Sequence, residues 1–183
     1  MSIRIEPLSD KLGAAIYGLD LRQTLSDDEK TAVGQAFAGH LAVCIRDQQL
    51  SLDEFLAAAN KFGKSKPHLY RKLRHKDHPH LSVVSSEDRK LFGEKKKNPW
   101  ATHFHTDESY LAKPSKATML YSLVNPKSGG ETKFVNMYRA YETLSDSTKK
   151  KLEGLKAVHR FGTNRPGVAL LELSDQEKAE TPD

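Results

Sequence analysis

The sequence predicts a mainly β protein with helices (α+β), organised around a β-sandwich or jelly-roll core. Three observations lead there. Two capping boxes, Ser26-Asp27-Asp28-Glu29 and Ser51-Leu52-Asp53-Glu54, open helices early in the chain. Many short runs with strand composition follow them, the strongest at 117–124 and 131–136. No internal repeat or low-complexity tract interrupts the order. Helices ahead of many short strands fit an all-β core with helical decoration.

The elements follow in chain order. Residues 3–7 read as an opening strand, and 13–21 as a short apolar segment punctuated by Gly13 and Gly18. The first capping box starts a helix to about His40, with Val33 and Phe37 at i, i+4 facing inward. Residues 41–46 read as a buried strand that carries Cys44 as a small core residue. The second box starts a helix through Phe62, with Phe55, Leu56 and Ala59 as its apolar stripe and Gly63 as its stop. Residues 64–80 have no clear period and read as loop, and 81–85 as a strand. The charged segment 87–99 is a loop of the kind that often covers an active site. Strands are expected at 100–107, 117–124 and 131–136, with Lys127-Ser128-Gly129-Gly130 as a turn. Helices near 138–142 and 145–155 and a strand at 156–161 complete the pattern. Beyond Gly162 it fades, and 174–183 is polar and uninformative.

A length of 183 residues suits a single domain over 1–183. The 37% hydrophobic and 29% charged content suits a globular protein. No apolar run approaches the roughly 20 residues of a membrane span. The N-terminus lacks the basic-then-apolar pattern of a signal peptide, and the single cysteine permits no intrachain disulfide. These features agree on a cytoplasmic setting with no membrane partner. The net charge of +5 is concentrated in Arg71, Lys72, Arg74 and Lys76 and in the run from Arg89 to Lys97. Those positions read as a solvated loop surface without interleaved stacking aromatics, so no nucleic acid partner is expected. Attraction of anionic substrates to a nearby cleft is the functional alternative.

The run His103-Phe104-His105-Thr106-Asp107 carries the candidate chemistry. On a strand, residues i and i+2 share a face, so His105 and Asp107 can converge on one ion. With a second imidazole they would form the two-His-one-carboxylate site of non-haem Fe(II) oxygenases, which leaves positions open. His103 shares that face but stands four residues from Asp107, about 13 Å at the strand rise, too far to join the same ion. It reads as a residue that supports the metal ligands from behind or as a packing residue. The alternative for His105 and Asp107 is a plain imidazole–carboxylate hydrogen bond within a sheet. His75-Lys76-Asp77 repeats the pattern in a basic loop, where nothing fixes both side chains on one face. Ser128-Gly129-Gly130-Glu131-Thr132 is either a hairpin turn or a close backbone approach to a ligand, with the Thr132 hydroxyl able to bond a carboxylate. His68 and Tyr70 can line a pocket or be ordinary loop residues. His159 is carried as a further candidate ligand.

Taken together, these positions resemble the taurine dioxygenase/TfdA family of Fe(II)- and 2-oxoglutarate-dependent dioxygenases. The collinear set is Gly13, Gly18-Leu19-Asp20-Leu21, His40, Arg46-Asp47-Gln48, Phe62-Gly63, His105-Thr106-Asp107, Ser128-Gly129-Gly130-Glu131-Thr132 and Tyr141…Leu144-Ser145. The resemblance implies a double-stranded β-helix (jelly-roll, cupin-like) core. It implies Fe(II) at His105 and Asp107, 2-oxoglutarate as co-substrate with a carboxylate at Thr132, and substrate contacts near His68 and Tyr70. The substrate it implies is a small organic acid, a sulfonate or another carboxylate-bearing compound, hydroxylated with O2 to give succinate and CO2. Self-association as a homo-oligomer is left open. The family's distal histidine ligand and its 2-oxoglutarate-binding arginine should both follow Asp183. His159 matches a position that holds no metal. The expectation is therefore an incomplete family member, a weak enzyme alone. Its rival is a non-catalytic jelly-roll fragment that serves as a binding module or is an inactive remnant.

Overall fold

The computed structural model describes residues 3–85, 104–159 and 173–179. The chain separates into two compact units, Met1–Ser65 with Lys133–Gly154, and Lys66–Thr132 with Leu155–Asp183.

The first unit holds a three-stranded sheet of order β1-β2-β3, from β1 (Arg4–Pro7), β2 (Ala14–Tyr17) and β3 (Val43–Ile45). β1 and β2 pair antiparallel, with Arg4 opposite Tyr17 and Pro7 opposite Ala14. The Arg4 guanidinium lies 4.2 Å from the centre of the Tyr17 ring, so this cross-strand pair is also a cation–π contact. β2 and β3 pair parallel, with Ala14 opposite Val43 and Ile16 opposite Ile45. A parallel pair needs a long crossover, and α1 (Asp27–His40) supplies it.

Both capping boxes form as the sequence predicts. Ser26 accepts from the Glu29 amide while the Glu29 carboxylate accepts from the Ser26 amide. Ser51 and Glu54 repeat the arrangement at the head of α2 (Leu52–Asn60). α3 (Met137–Glu142) and α4 (Asp146–Leu152) fall where helices were expected, α4 ending short of 155. Among the described residues, the second unit holds one 3-10 turn, Arg71–Leu73, and α5 (Asp175–Ala179).

The core sits on β2. Ala14 and Ile16 are fully buried, α1 packs against β2 and β3 with Val33 buried, and Leu21 and Ala58 are buried in the same unit. Burying a side chain the size of Ile16 contributes about 1.5–3 kcal/mol. The segment after β2 is held by two long side chains. Gln48 donates to the Leu19 and Arg46 carbonyls and accepts from the Leu21 amide. Lys61 Nζ donates to the Leu21 and Gln23 carbonyls.

Several expectations change. β3 is an edge strand, half-buried rather than buried, and Cys44 is exposed. Side chains alternate along a strand, so Cys44 faces away from the side that Val43 and Ile45 share. Phe37 is half-buried and Ala36 takes its inward place beside Val33; in α2 the buried residue is Ala58, with Phe55, Leu56 and Ala59 half-buried. Residues 81–85 form a single bridge, Ser82 with Arg74, and 117–124, 131–136 and 156–159 form no ladder among the described residues. Strand composition is a local property, whereas a ladder needs a neighbouring chain to exchange hydrogen bonds. Most apolar side chains of these segments are exposed, with Leu120 and Phe134 examples, while Leu81, Met119 and Tyr121 are half-buried. The jelly-roll core is thus not among the described elements, which comprise one small sheet with helices. The loop 87–99, Trp100, His103 and the cluster Arg89 to Lys97 lie outside the described residues.

Candidate functional site

The His105 and Asp107 positions meet in the second unit. Nε2 of His105 lies 3.4 Å from Oδ1 of Asp107, with the two side chains 55% and 51% exposed. They reach this contact without a strand. Residues 104–106 carry no regular secondary structure, and 107–110 form a turn. Thr118 donates a hydrogen bond from Oγ1 to the second Asp107 oxygen, Oδ2, at 2.6 Å.

Glu108 follows with a φ of 53°, left-handed for a residue that has a Cβ. Its carboxylate accepts from the Ser115 amide at 3.1 Å, from the Ser115 hydroxyl, and from Lys66 Nζ at 3.2 Å. Partial burial raises its pKa, but the bonds from Ser115 and Lys66 outweigh that, and the carboxyl is held below its ordinary value. Tyr110, two residues on, is shifted upward by burial and by the Glu108 charge.

His68 and Tyr70 come together as a stacked pair, ring centres 5.8 Å apart and planes 24° from parallel. The Tyr70 amide donates to His68 Nδ1 at 3.1 Å. Nδ1 is therefore the acceptor nitrogen, and the neutral ring carries its proton on Nε2. Burial and the Glu177 charge raise the Tyr70 phenol pKa.

Thr132 is exposed in an irregular segment that follows Gly129 and Gly130. Both glycines have positive φ, 77° and 78°, and the chain bends at Lys127 and Ser128 without a hydrogen-bonded turn being assigned there. A Cβ on Gly130 would come within 3.1 Å of Pro126 Cγ. His159 is exposed, as is the decoy Asp77, whose amide donates to His75 Nδ1. Among the described residues no three His, Cys, Asp or Glu side chains converge on one point. No helix among them is long and apolar enough to cross a membrane.

Three contributors were not read from the sequence: Thr118, the Glu108–Lys66–Ser115 cluster, and Glu177. Thr118 sits in an apolar run whose composition gives no sign of its partner. Glu177 does carry a signal, because Ser174-Asp175-Gln176-Glu177 has the capping-box pattern that marks the two long helices. Ser174 Oγ and its amide both donate to Glu177 Oε2 at 2.7 Å.

Comparison with known proteins gives a consistent result. The model of the family described as "Taurine catabolism dioxygenase TauD, TfdA family" matches residues 4–182. A Schizosaccharomyces pombe protein provisionally named an alpha-ketoglutarate-dependent sulfonate dioxygenase is 33% identical over 157 residues. That match takes in 85% of this chain and 40% of the yeast protein. The alpha-ketoglutarate-dependent 2,4-dichlorophenoxyacetate dioxygenase of Cupriavidus pinatubonensis is 28% identical over 195 residues, 100% of this chain and 67% of that enzyme. Among solved structures, AAD-2 in complex with Mn(II) and N-oxalylglycine matches with a TM-score of 0.65 and 26% identity, over 98% of this chain and 61% of AAD-2. The chain therefore spans between two fifths and two thirds of the length of these relatives.

Proposed function

The chain belongs to the taurine catabolism dioxygenase TauD, TfdA family, and from that premise we propose that it contributes the His-x-Asp half of an Fe(II)- and 2-oxoglutarate-dependent dioxygenase site acting on a small organic acid. The observation that carries the reading is the 3.4 Å approach of His105 Nε2 to Asp107 Oδ1. Two donors about 2.1 Å from one ion and at right angles stand about 3 Å apart, so this pair needs little adjustment to share a cation. An imidazole nitrogen with a carboxylate oxygen is also the donor chemistry that suits Fe(II). The double-stranded β-helix core belongs to the same proposal, supported by the likeness to AAD-2.

When bound, Fe(II) supplies the redox chemistry by which O2 and 2-oxoglutarate are consumed, a substrate C–H becomes C–OH, and succinate and CO2 leave. The chain's own residues bind and orient. His105 offers Nε2 as a neutral donor, and Asp107 brings one negative charge that offsets the cation. The Thr132 hydroxyl, on a segment whose bend depends on Gly129 and Gly130, donates to a 2-oxoglutarate carboxylate. His68 Nε2–H and the Tyr70 phenol present two donors from a stacked pair, suited to a sulfonate or carboxylate oxygen on the substrate.

The test is Fe(II)- and O2-dependent release of succinate from 2-oxoglutarate, with alkyl sulfonates and aryloxyacetates offered as substrates. Loss of that release in both His105→Ala and Asp107→Ala is expected. Succinate formation undiminished in both variants would sink the assignment.

A further inference from the structure

The two oxygens of Asp107 have different neighbours. Oδ1 faces His105 Nε2 at 3.4 Å. Oδ2 accepts the Thr118 hydroxyl at 2.6 Å, from a residue eleven positions along the chain. Asp107 is half exposed, so little packing restrains the terminal torsion of its side chain. That torsion is broad and two-fold, and rotation about it would exchange the oxygens.

We propose that Thr118 is a positioning residue, whose hydroxyl pins Oδ2 of Asp107 and so leaves Oδ1 as the oxygen offered, beside His105 Nε2, to a divalent cation. This rests on the reading of His105 and Asp107 as a metal pair. Two consequences follow from the geometry. The cation meets a carboxylate already turned to the productive face, so less ordering is lost on binding. In addition, an oxygen held by a hydroxyl is a poorer second donor, so Asp107 binds through one oxygen rather than two. A carboxylate that chelates with both oxygens takes an extra coordination position, and a dioxygenase site needs its open positions for co-substrate and oxygen.

The donor matters and the methyl group does not. Serine keeps the donor. Valine keeps the shape of threonine and removes the donor. Hydrogen bonds that orient a ligating side chain are commonly worth about 10–100-fold in metal affinity.

The experiment titrates the 183-residue chain with Mn(II), following free Mn(II) by electron paramagnetic resonance, and records Co(II) visible spectra of the same proteins. Thermal unfolding is measured alongside. Thr118→Val is expected to weaken Mn(II) binding about tenfold or more and to alter the Co(II) spectrum, with an unchanged unfolding temperature. Thr118→Ser is expected to bind as the parent does. Added to Asp107→Ala, Thr118→Val is expected to cause no further loss. Parental Mn(II) affinity in Thr118→Val, or weak binding in Thr118→Ser as well, overturns the role of Thr118 while His105→Ala and Asp107→Ala still lose the ion. Unchanged Mn(II) binding in His105→Ala and Asp107→Ala overturns the metal pair itself, and the role of Thr118 with it. If Thr118→Val fails to fold, Thr118→Ala replaces it in the same comparison.

Discussion

The Glu177 carboxylate accepts the backbone N–H of Arg71 at 2.6 Å, across 106 residues of chain. The same carboxylate accepts the amide and hydroxyl of Ser174, and Glu177 is only 4% exposed. One side chain therefore caps α5 and holds the 3-10 turn that begins immediately after Tyr70. The Ser174 hydroxyl first, then the Arg71 and Ser174 amides, hold its pKa at about 2, below the ordinary 4.5.

Acid should loosen this anchor. A carboxyl whose pKa is lower in the folded chain contributes stability that is fully present above its unfolded value. That contribution is lost as pH falls from about 4.5 toward about 2. Hydrogen exchange at the Arg71 amide, followed from neutral pH down to pH about 3 and corrected for intrinsic rates, should show protection falling in that window. In Glu177→Gln the protection should be low throughout and nearly independent of pH. Equal protection of Arg71 in parent and variant would show that Glu177 does not hold the turn.

Removing either capping serine should cost stability without touching the candidate site. Ser26→Ala and Ser51→Ala each delete a side chain that accepts from a helix amide, worth about 1 kcal/mol. Urea denaturation of the first unit is the measurement. Glycine in either place should cost only a few tenths of a kcal/mol.

The core and the irregular apolar segments should respond very differently to truncation. Ile16 is fully buried, and Ile16→Ala should cost about 2–5 kcal/mol. Val124 is 86% exposed, and Val124→Ala should fall within about 0.5 kcal/mol of the parent. Comparable losses at both would mean that Val124 packs in solution in a way the structure does not contain.

Glu108 combines a left-handed backbone with an anchoring carboxylate. Glu108→Ala keeps a Cβ at φ 53° and loses the bonds to Ser115 and Lys66. The exchange rate of the Ser115 amide should rise about tenfold, as expected for one charge-assisted hydrogen bond of about 1.5 kcal/mol. Glu108→Gly removes the backbone strain as well as the carboxylate, and so should recover part of the stability but none of the Ser115 protection. Protection of Ser115 that persists in both variants would show that the turn closes on other contacts.

The parts of the fold legible in the sequence are those that local chemistry decides. Ser26 with Glu29 and Ser51 with Glu54 announce their helices because capping is a contact between near neighbours. The strand at Val43–Ile45 is read from a short apolar run. Residues 117–124 and 131–136 have the same composition, yet form no ladder among the described residues, because pairing depends on distant chain that composition does not describe. The site divides in the same way. His105 and Asp107 are two residues apart, and a contact between such near neighbours needs no distant segment of chain. Thr118 reaches Asp107 through a loop whose course depends on Glu108 and Ser115, and no pattern of residue types encodes that.

The parallel pairing of β2 with β3 also sets an order of events. The β1–β2 hairpin closes over a short loop, whereas β3 can meet β2 only after the chain has passed through α1. Closing the longer loop costs more entropy before any contact repays it, and a preformed crossover helix shortens the distance to be searched. During refolding, amides bonded between β1 and β2 should therefore become protected before the Arg46 amide, which donates to the Ile16 carbonyl. The folding rate should accordingly depend on how readily α1 forms.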